Sequence, residues 1–378
     1  MQLSDRISRL SPSPIREILS VIDQPGMISF AGGLPSAASF PSINELTVKP
    51  ELLQYGPTEG EAALRDQVAS DLASRGLSVK SEQVLILSGS QQGIDLVAKL
   101  LINEGTQVAV ESPTYLAALQ VFSLFGANYM PYQPSNTEAL LATARPNLIY
   151  TIPTFQNPTG YCYTLAERQA LAKVADQHGS VLFEDDPYRD LVYGPCERTP
   201  VCSFVERSSW VYQSSFSKTF APGLRLGYLV CSEDLFASLS WLKQAADLHS
   251  NRLSQSLVLA MLNNPDGRLA EVVDSYRSKR DAFSQALEKE LSSYCYWSVP
   301  DGGLFFWLTL KDEYVQDTRL LLQESLKSNV AFMPGAPFFP QNAGSRACIR
   351  LNFSHAGDAD MVRGLNELGR LIAAGAGQ

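Results

Sequence analysis

The sequence predicts an α/β fold: a large domain with a mostly parallel central sheet flanked by helices, followed by a smaller α+β domain. Three observations carry this. Apolar runs of strand length recur through the middle of the chain, helical patterns alternate with them, and the pattern changes after Asn251. Strands covered on both faces read as continuous apolar runs rather than as in–out alternation.

The predicted strands are Val84–Leu87, Val108–Val110, Leu148–Ile152, Val181–Phe183, Val211–Tyr212 and Leu226–Cys231, each bounded by Gly, Pro, Ser or Asp. Between them, 62–75 sets Leu64, Val68 and Leu72 four apart, and 165–178 sets Val174 and Ala175 three and four after Leu171, the same kind of helical spacing. A helix over 91–101 is expected after Ser88-Gly89-Ser90, read as an N-cap signal. Beyond Asn251, helices are expected over 253–263, 267–291, 318–328 and 358–373, with strands at 303–310 and 347–352. Length and pattern together give three divisions: an N-terminal segment 1–45 that acts as lid and completes the small domain, a large domain 46–280, and a small domain 281–378.

A chain of 378 residues buries about three-quarters of its unfolded surface and needs no disulfide or metal to fold. Its 30 basic residues against 39 acidic ones, with no Lys/Arg run, argue against nucleic acid as a partner. Six cysteines without a C-x-x-C pair read as reduced thiols of an intracellular protein. The three histidines lie far apart, so no metal site is expected. The first twenty residues carry Asp5 and Glu17 and lack a signal-peptide core, and no run is long enough to cross a membrane. The expectation is a cytoplasmic protein.

Chemistry-bearing residues cluster just after the predicted strands. Trp210–Gly227 reads WVYQSSFSKTFAPGLRLG: a strand delivers Ser215 and Lys218, and Arg225 follows a Pro-Gly turn. A lysine at a buried strand end loses solvation, which favours its neutral, nucleophilic amine; a surface loop lysine fits the same letters. Asp185, Asp186 and Tyr188 follow another strand, where one carboxylate suits a protonated heteroaromatic nitrogen, although the segment alone reads first as a solvated turn or a helix N-cap. Asn157 sits in Pro153–Gly160, which alone reads as a turn. Ser88–Gln92, with Ser90 and Gln91, joins a strand to a helix start, a place for a phosphate. Tyr115, in Glu111–Tyr115, follows a third strand and suits stacking on a flat ring.

Taken in order, these motifs resemble the fold-type I pyridoxal-phosphate enzymes, specifically the class I/II aminotransferases of the subgroup that includes 2-aminoadipate and kynurenine aminotransferases. The resemblance runs from Ile15-Arg16-Glu17 and Phe30–Pro35 through to Ile349-Arg350. It implies an aspartate aminotransferase-like fold, pyridoxal 5′-phosphate as cofactor, and transfer of an amino group from an L-amino acid to a 2-oxo acid. It further implies that Lys218 forms the Schiff base with the cofactor and then moves the substrate proton. By the same resemblance Asp185 pairs with the pyridine nitrogen, Asn157 and Tyr188 bond the ring oxygen, and Tyr115 stacks on the ring. Ser90, Gln91, Ser215 and Arg225 are expected to hold the phosphate. Tyr55, in Tyr55–Gly60, is expected to complete that cup in a second subunit, which implies a homodimer with shared sites.

Arg350 matches the arginine that clamps the substrate α-carboxylate, and backbone at Gly32-Gly33 is expected close to that carboxylate. Arg16, beside Pro12 and Pro14, is the expected anchor for a distal carboxylate; a surface helix arginine reads the same way. Arg252 departs from the apolar residue expected there and reads either as a second anchor or as a solvent-facing charge. Met333–Phe339 is expected to form an apolar wall of a broad pocket. The resemblance thus implies 2-oxoglutarate/glutamate as one pair and 2-aminoadipate, aromatic or aliphatic amino acids as the other. A lyase, decarboxylase or synthase on the same scaffold is the alternative. A DNA-binding regulator is disfavoured by the acidic balance and by a resemblance that starts within the first twenty residues.

Overall fold

The computed structural model describes residues 3–10, 24–41, 49–137, 145–264, 267–340 and 347–375. Its strands are β1 (Ile28–Ser29), β2 (Val84–Leu87), β3 (Gln107–Glu111), β4 (Asn128–Tyr132), β5 (Leu148–Thr151), β6 (Val181–Asp185), β7 (Trp210–Ser215), β8 (Gly227–Cys231), β9 (Cys295–Tyr296), β10 (Phe305–Leu310), β11 (Val330–Ala331), β12 (Met333–Pro334) and β13 (Cys348–Asn352).

Seven of them form one sheet in the order β2-β8-β7-β6-β5-β3-β4. All neighbours from β7 to β4 are parallel, and β8 runs antiparallel to both β7 and β2. One sheet face packs Val84, Ile86 and Leu182 against Leu64, Leu72, Leu171 and Val258. The other packs Leu85, Leu87 and Phe183 against Ile94, Leu119 and Leu239. Strands β2, β5 and β8 are buried throughout, as continuous apolar runs require.

Strand β4 was not among the predicted strands. It is the sheet's edge, its Asn128 and Pro131 are exposed, and a proline is tolerated there because an edge strand has a side without a ladder. Helices Leu116–Leu124 and Glu233–Asp247 were likewise not predicted. The first is apolar almost all round and too short for a helical period to separate it from a strand. The predicted N-cap at Ser88-Gly89-Ser90 is corrected: the cap is Gly89 at φ +84°, without a side-chain cap bond, and Ser90 is already the first residue of helix Ser90–Leu101.

The second unit is a four-stranded antiparallel sheet, β12-β13-β10-β9. Phe283, Phe306, Ile349 and Leu365 sit in its core. The N-terminal stretch docks here: β1 pairs in parallel with β11, and Asn352 N donates to Phe30 O at 2.8 Å. The expected division at 280/281 falls inside helix Arg268–Leu291, whose buried residues from Val272 to Leu291 all join this second core. Among the described residues, no helix is long and apolar enough to cross a membrane, no cluster of His, Cys, Asp and Glu could hold a metal ion, and the six cysteines are free.

Candidate active site

The carboxyl ends of β3, β5, β6 and β7 meet the start of helix Ser90–Leu101 and the edge of the second unit around a cleft of about 350 Å³. Ligands of open α/β sheets collect at such strand ends. Ser90, Gln91, Tyr115, Asn157, Asp185, Tyr188, Ser215, Lys218, Arg225, Arg350 and Gly33, dispersed in sequence, all line it.

Asp185 ends β6 on the face shared with Phe183, since alternate residues of a strand point the same way. Only 3% exposed, it accepts a hydrogen bond from Tyr150 Oη at Oδ2, 2.8 Å away. Its Oδ1 has no partner. Burial pushes this carboxyl up to about 7, against the pull of the nearby Gln213 amide and of the Tyr150 hydroxyl. Asp186 points to the opposite face, where Tyr212 Oη donates to it at 3.0 Å and Arg189 at 3.3 Å. It is therefore a buried structural carboxylate rather than the solvated turn residue its position in the sequence allowed.

Lys218 follows β7, and its Nζ donates to Gly33 O at 2.7 Å. Desolvation first, then the positive charges of Arg350 and Arg225, bring the amine down to about 8. Arg350, on β13, is 3% exposed. Its Nη1 donates to Asn157 Oδ1 at 2.8 Å and its Nη2 to Ala31 O at 2.6 Å, while Nε has no partner. Its guanidinium lies 4.2 Å from the ring centre of Phe305 and 5.0 Å from that of Phe338. Loss of water lowers even this arginine, to about 10. Phe338 thus backs Arg350, and the 333–339 stretch expected as a pocket wall does not line the cleft.

Gly89 and Arg225 make the other end of the cleft. A Cβ on Gly89 would stand 2.6 Å from Arg225 Nη2, so the guanidinium rests on this glycine, whose positive φ also favours the residue. Arg225 adjoins the first turn of helix Ser90–Leu101, whose Ser90 and Gln91 line the cleft and whose leading N–H groups lack intrahelical acceptors. Tyr115 precedes helix Leu116–Leu124, its hydroxyl pushed up to about 12 by burial. Tyr188 is buried beside Asn157, and burial raises its hydroxyl as well.

Other expected residues lie elsewhere. Tyr55 is 76% exposed, outside the cleft of its own chain, with its ring edge on His249. Arg252 is held within its own chain: Nε pairs with Glu61 at 2.6 Å, and Nη1 donates to the carbonyls of Gln54 and Tyr55. Arg16, Pro12 and Pro14 lie outside the described residues.

Two supporting residues carry no motif of their own. Tyr150 looks like one more apolar strand residue, yet it holds Asp185. Glu111 is 1% exposed and accepts from Thr151, Tyr163, Gln156 and the Ile152 N–H. Gln156 also donates to Pro113 O at 2.8 Å. This carboxylate thereby joins the loop before Tyr115 to the loop that carries Asn157. A carboxylate ending a buried strand was the available signal.

Comparison with known proteins identifies the family of the chain. The family described as "Aminotransferase class I and II" matches residues 28–368. The 2-aminoadipate transaminase of Thermus thermophilus is 36% identical, over 96% of this chain and 94% of its own. Aromatic-amino-acid aminotransferase 1 of Thermococcus litoralis is 32% identical, over 98% and 93%. The crystal structure of an alpha-aminoadipate aminotransferase of Thermus thermophilus, complexed with N-(5'-phosphopyridoxyl)-L-leucine, superposes with a TM-score of 0.88 at 34% identity, covering 98% of this chain and 97% of that one.

Pyridoxal phosphate fits the residues present. The buried Asp185 Oδ1 lacks a donor that a protonated ring nitrogen would supply. A softened lysine stands nearby, and an arginine lies on a bare glycine at a helix start, as a phosphate requires. The chain belongs to the class I and II aminotransferases, pyridoxal-phosphate enzymes that pass an amino group from an L-amino acid to a 2-oxo acid.

Proposed function

We propose that this aminotransferase uses 2-oxoglutarate/glutamate as one pair and 2-aminoadipate, aromatic or aliphatic amino acids as the other, in a cytoplasmic homodimer with shared sites. The observation that carries the site assignment is the convergence of Lys218 Nζ, the unpartnered Asp185 Oδ1 and the unpartnered Arg350 Nε on one cleft. The substrate range is supported by relatives named for 2-aminoadipate and for aromatic amino acids.

Bound pyridoxal phosphate supplies an electron sink that makes the Cα proton of the amino acid labile. The chain's residues do the rest. Lys218 Nζ, neutral in a fraction set by its lowered pKa, takes and returns the substrate's Cα proton. Asp185 Oδ1, ionised, accepts from the ring nitrogen while Tyr150 fixes Oδ2. Arg350 meets the α-carboxylate as a planar fork, its face dried by Phe305 and Phe338, with the Gly33 backbone alongside. Asn157 and Tyr188 bond the ring oxygen, Tyr115 covers the ring, and Ser90, Gln91, Ser215 and Arg225 hold the phosphate. Tyr55, exposed and outside its own cleft, is assigned to the phosphate of a second subunit. Arg16 is assigned to a distal carboxylate.

The test mixes purified holoenzyme with single amino acids (glutamate, 2-aminoadipate, an aromatic, leucine, alanine) and follows the cofactor spectrum. Conversion by glutamate and at least one further donor of these classes is expected; a spectrum that none of them changes would refute the substrate assignment. Lys218→Ala should keep the cofactor and lose turnover. Co-expression of Lys218→Ala and Tyr55→Ala chains should restore activity through one intact shared site, whereas a hybrid as inactive as its parents would refute sharing.

A further inference from the structure

Arg252 opens helix Arg252–Asn263, whose cap Asn251 accepts from Ser254 N at 2.9 Å. Its side chain turns back onto the stretch that carries Tyr55. Nη1 donates to Glu51 O, to Gln54 O at 3.1 Å and to Tyr55 O at 3.4 Å. Glu51 lies in the short 3-10 turn Pro50–Leu53 and the other two carbonyls lie just past it, where no continuing helix supplies them with donors. The other edge of the guanidinium meets Glu61, Nε to Oε1 at 2.6 Å and Nη2 to Oε2 at 3.4 Å. Between these contacts the stem crosses Gly56, where a Cβ would stand 2.8 Å from Arg252 Cδ and 2.9 Å from Nε. Glu61 is itself held, its N–H donating to Gln255 Oε1 at 2.8 Å, about one turn further along the helix that Arg252 opens. Past Gly56 the chain is tied to the sheet, where Ile86 N on β2 donates to Glu59 O at 2.9 Å.

We propose that Arg252 is a positioning residue for cofactor binding: it holds the turn over 50–56 in the shape that aims Tyr55 at the phosphate of a second subunit. This rests on the assignment of Tyr55 to that phosphate. Tyr55 is 76% exposed, its ring edge on His249 at 5.8 Å between centres. A side chain so little packed is aimed by its backbone. A backbone free to rearrange has to be ordered at the moment of binding, and affinity falls by the entropy of that ordering. Arg252 orders it beforehand, because one planar group bonds the carbonyls before and at Tyr55 and covers the glycine after it. The opposite edge of the same fork takes the Glu61 carboxylate, which fixes the plane of the guanidinium. The compact ammonium of a lysine has no second edge for that duty.

The experiment titrates apoprotein with pyridoxal 5′-phosphate and, separately, with phosphate-free pyridoxal, in the unmodified chain, Tyr55→Phe, Arg252→Met and the double variant. Tyr55→Phe should weaken pyridoxal phosphate about tenfold or more, the loss of one hydrogen bond to a charged group, and spare pyridoxal. Arg252→Met should weaken pyridoxal phosphate about threefold to tenfold, the scale of ordering one loosened segment, and spare pyridoxal as well. In the double variant, Arg252→Met should add less than about twofold to the loss already caused by Tyr55→Phe, because its effect passes through the hydroxyl that is gone. Circular dichroism checks the fold; where Arg252→Met fails it, Glu61→Gln loosens the same guanidinium and carries the same comparison. Tyr55→Phe that binds pyridoxal phosphate like the unmodified chain would overturn the Tyr55 assignment and the proposal with it. A loss in Tyr55→Phe with none in Arg252→Met would overturn the proposal alone. So would a loss from Arg252→Met that is equally large for pyridoxal, or equally large with and without the Tyr55 hydroxyl.

Discussion

Tyr150→Phe isolates one hydrogen bond at the heart of the cleft. Tyr150 is fully buried on β5, its ring 5.4 Å from both Phe122 and Phe183, so phenylalanine keeps the packing and removes only the hydroxyl. What is lost is the donor 2.8 Å from Asp185 Oδ2. A hydrogen bond to a charged group contributes about 1.5–3 kcal/mol, which corresponds to roughly one to two pKa units on the carboxyl. The direction follows from which form is bonded: the hydroxyl favours ionised Asp185, so its removal raises a carboxyl already at about 7. Near neutral pH the variant then holds Asp185 mostly protonated, and a protonated carboxyl cannot serve as an anion for the ring nitrogen. Cofactor affinity and kcat/KM should each fall about tenfold near pH 7, the equivalent of about 1.4 kcal/mol. The deficit should shrink as pH rises and Asp185 ionises in both proteins. Cofactor titration of the apoprotein across pH, with kcat/KM on one amino-acid pair and circular dichroism as a fold check, reads this directly. Affinity and kcat/KM that stay within twofold of the unmodified enzyme at every pH would refute the claim that Tyr150 maintains Asp185 as an anion.

Further outcomes follow from the same contacts. Arg350→Lys removes the planar fork, and kcat/KM for every amino acid should drop about 100-fold, or about 2.7 kcal/mol, in steady-state kinetics. Glu111→Gln turns an acceptor from five donors, Thr114, Thr151, Ile152 N–H, Gln156 and Tyr163, into an amide whose NH2 faces donors; unfolding titrations should show a loss of about 2–4 kcal/mol. Arg252→Ala removes the Glu61 pair and the carbonyl contacts of the 51–55 turn, so Tm should fall while the response to glutamate's distal carboxylate is unchanged. In the apoprotein, folded Lys218 sheds its proton near 8 whereas the unfolded chain holds it to the ordinary 10.5, so the unfolded state binds more protons in that window. This group therefore makes stability rise with pH between those values, and Lys218→Met should remove that part of the slope in denaturation curves.

The strand-and-helix alternation was legible from the residue order alone, because strands buried on both faces leave uninterrupted apolar runs. So were the motif residues, because turns at strand ends must be written in Gly, Pro, Asn and Ser. From those motifs the family, the cofactor and Lys218, Asp185 and Arg350 were legible. The edge strand β4 was not, since its register comes from pairing with β3 rather than from an apolar pattern. Nor were the contacts that only three-dimensional proximity creates. That Asp185 faces the cleft while Asp186 faces Tyr212 follows from the pleat of β6 within the sheet. That Tyr150 holds Asp185, that Glu111 joins two loops, and that Arg252 meets Glu61 follows from segments distant in sequence packing side by side. Local periodicity reports which face of an element is apolar, whereas burial and electrostatics at a named atom depend on what the rest of the chain brings against it.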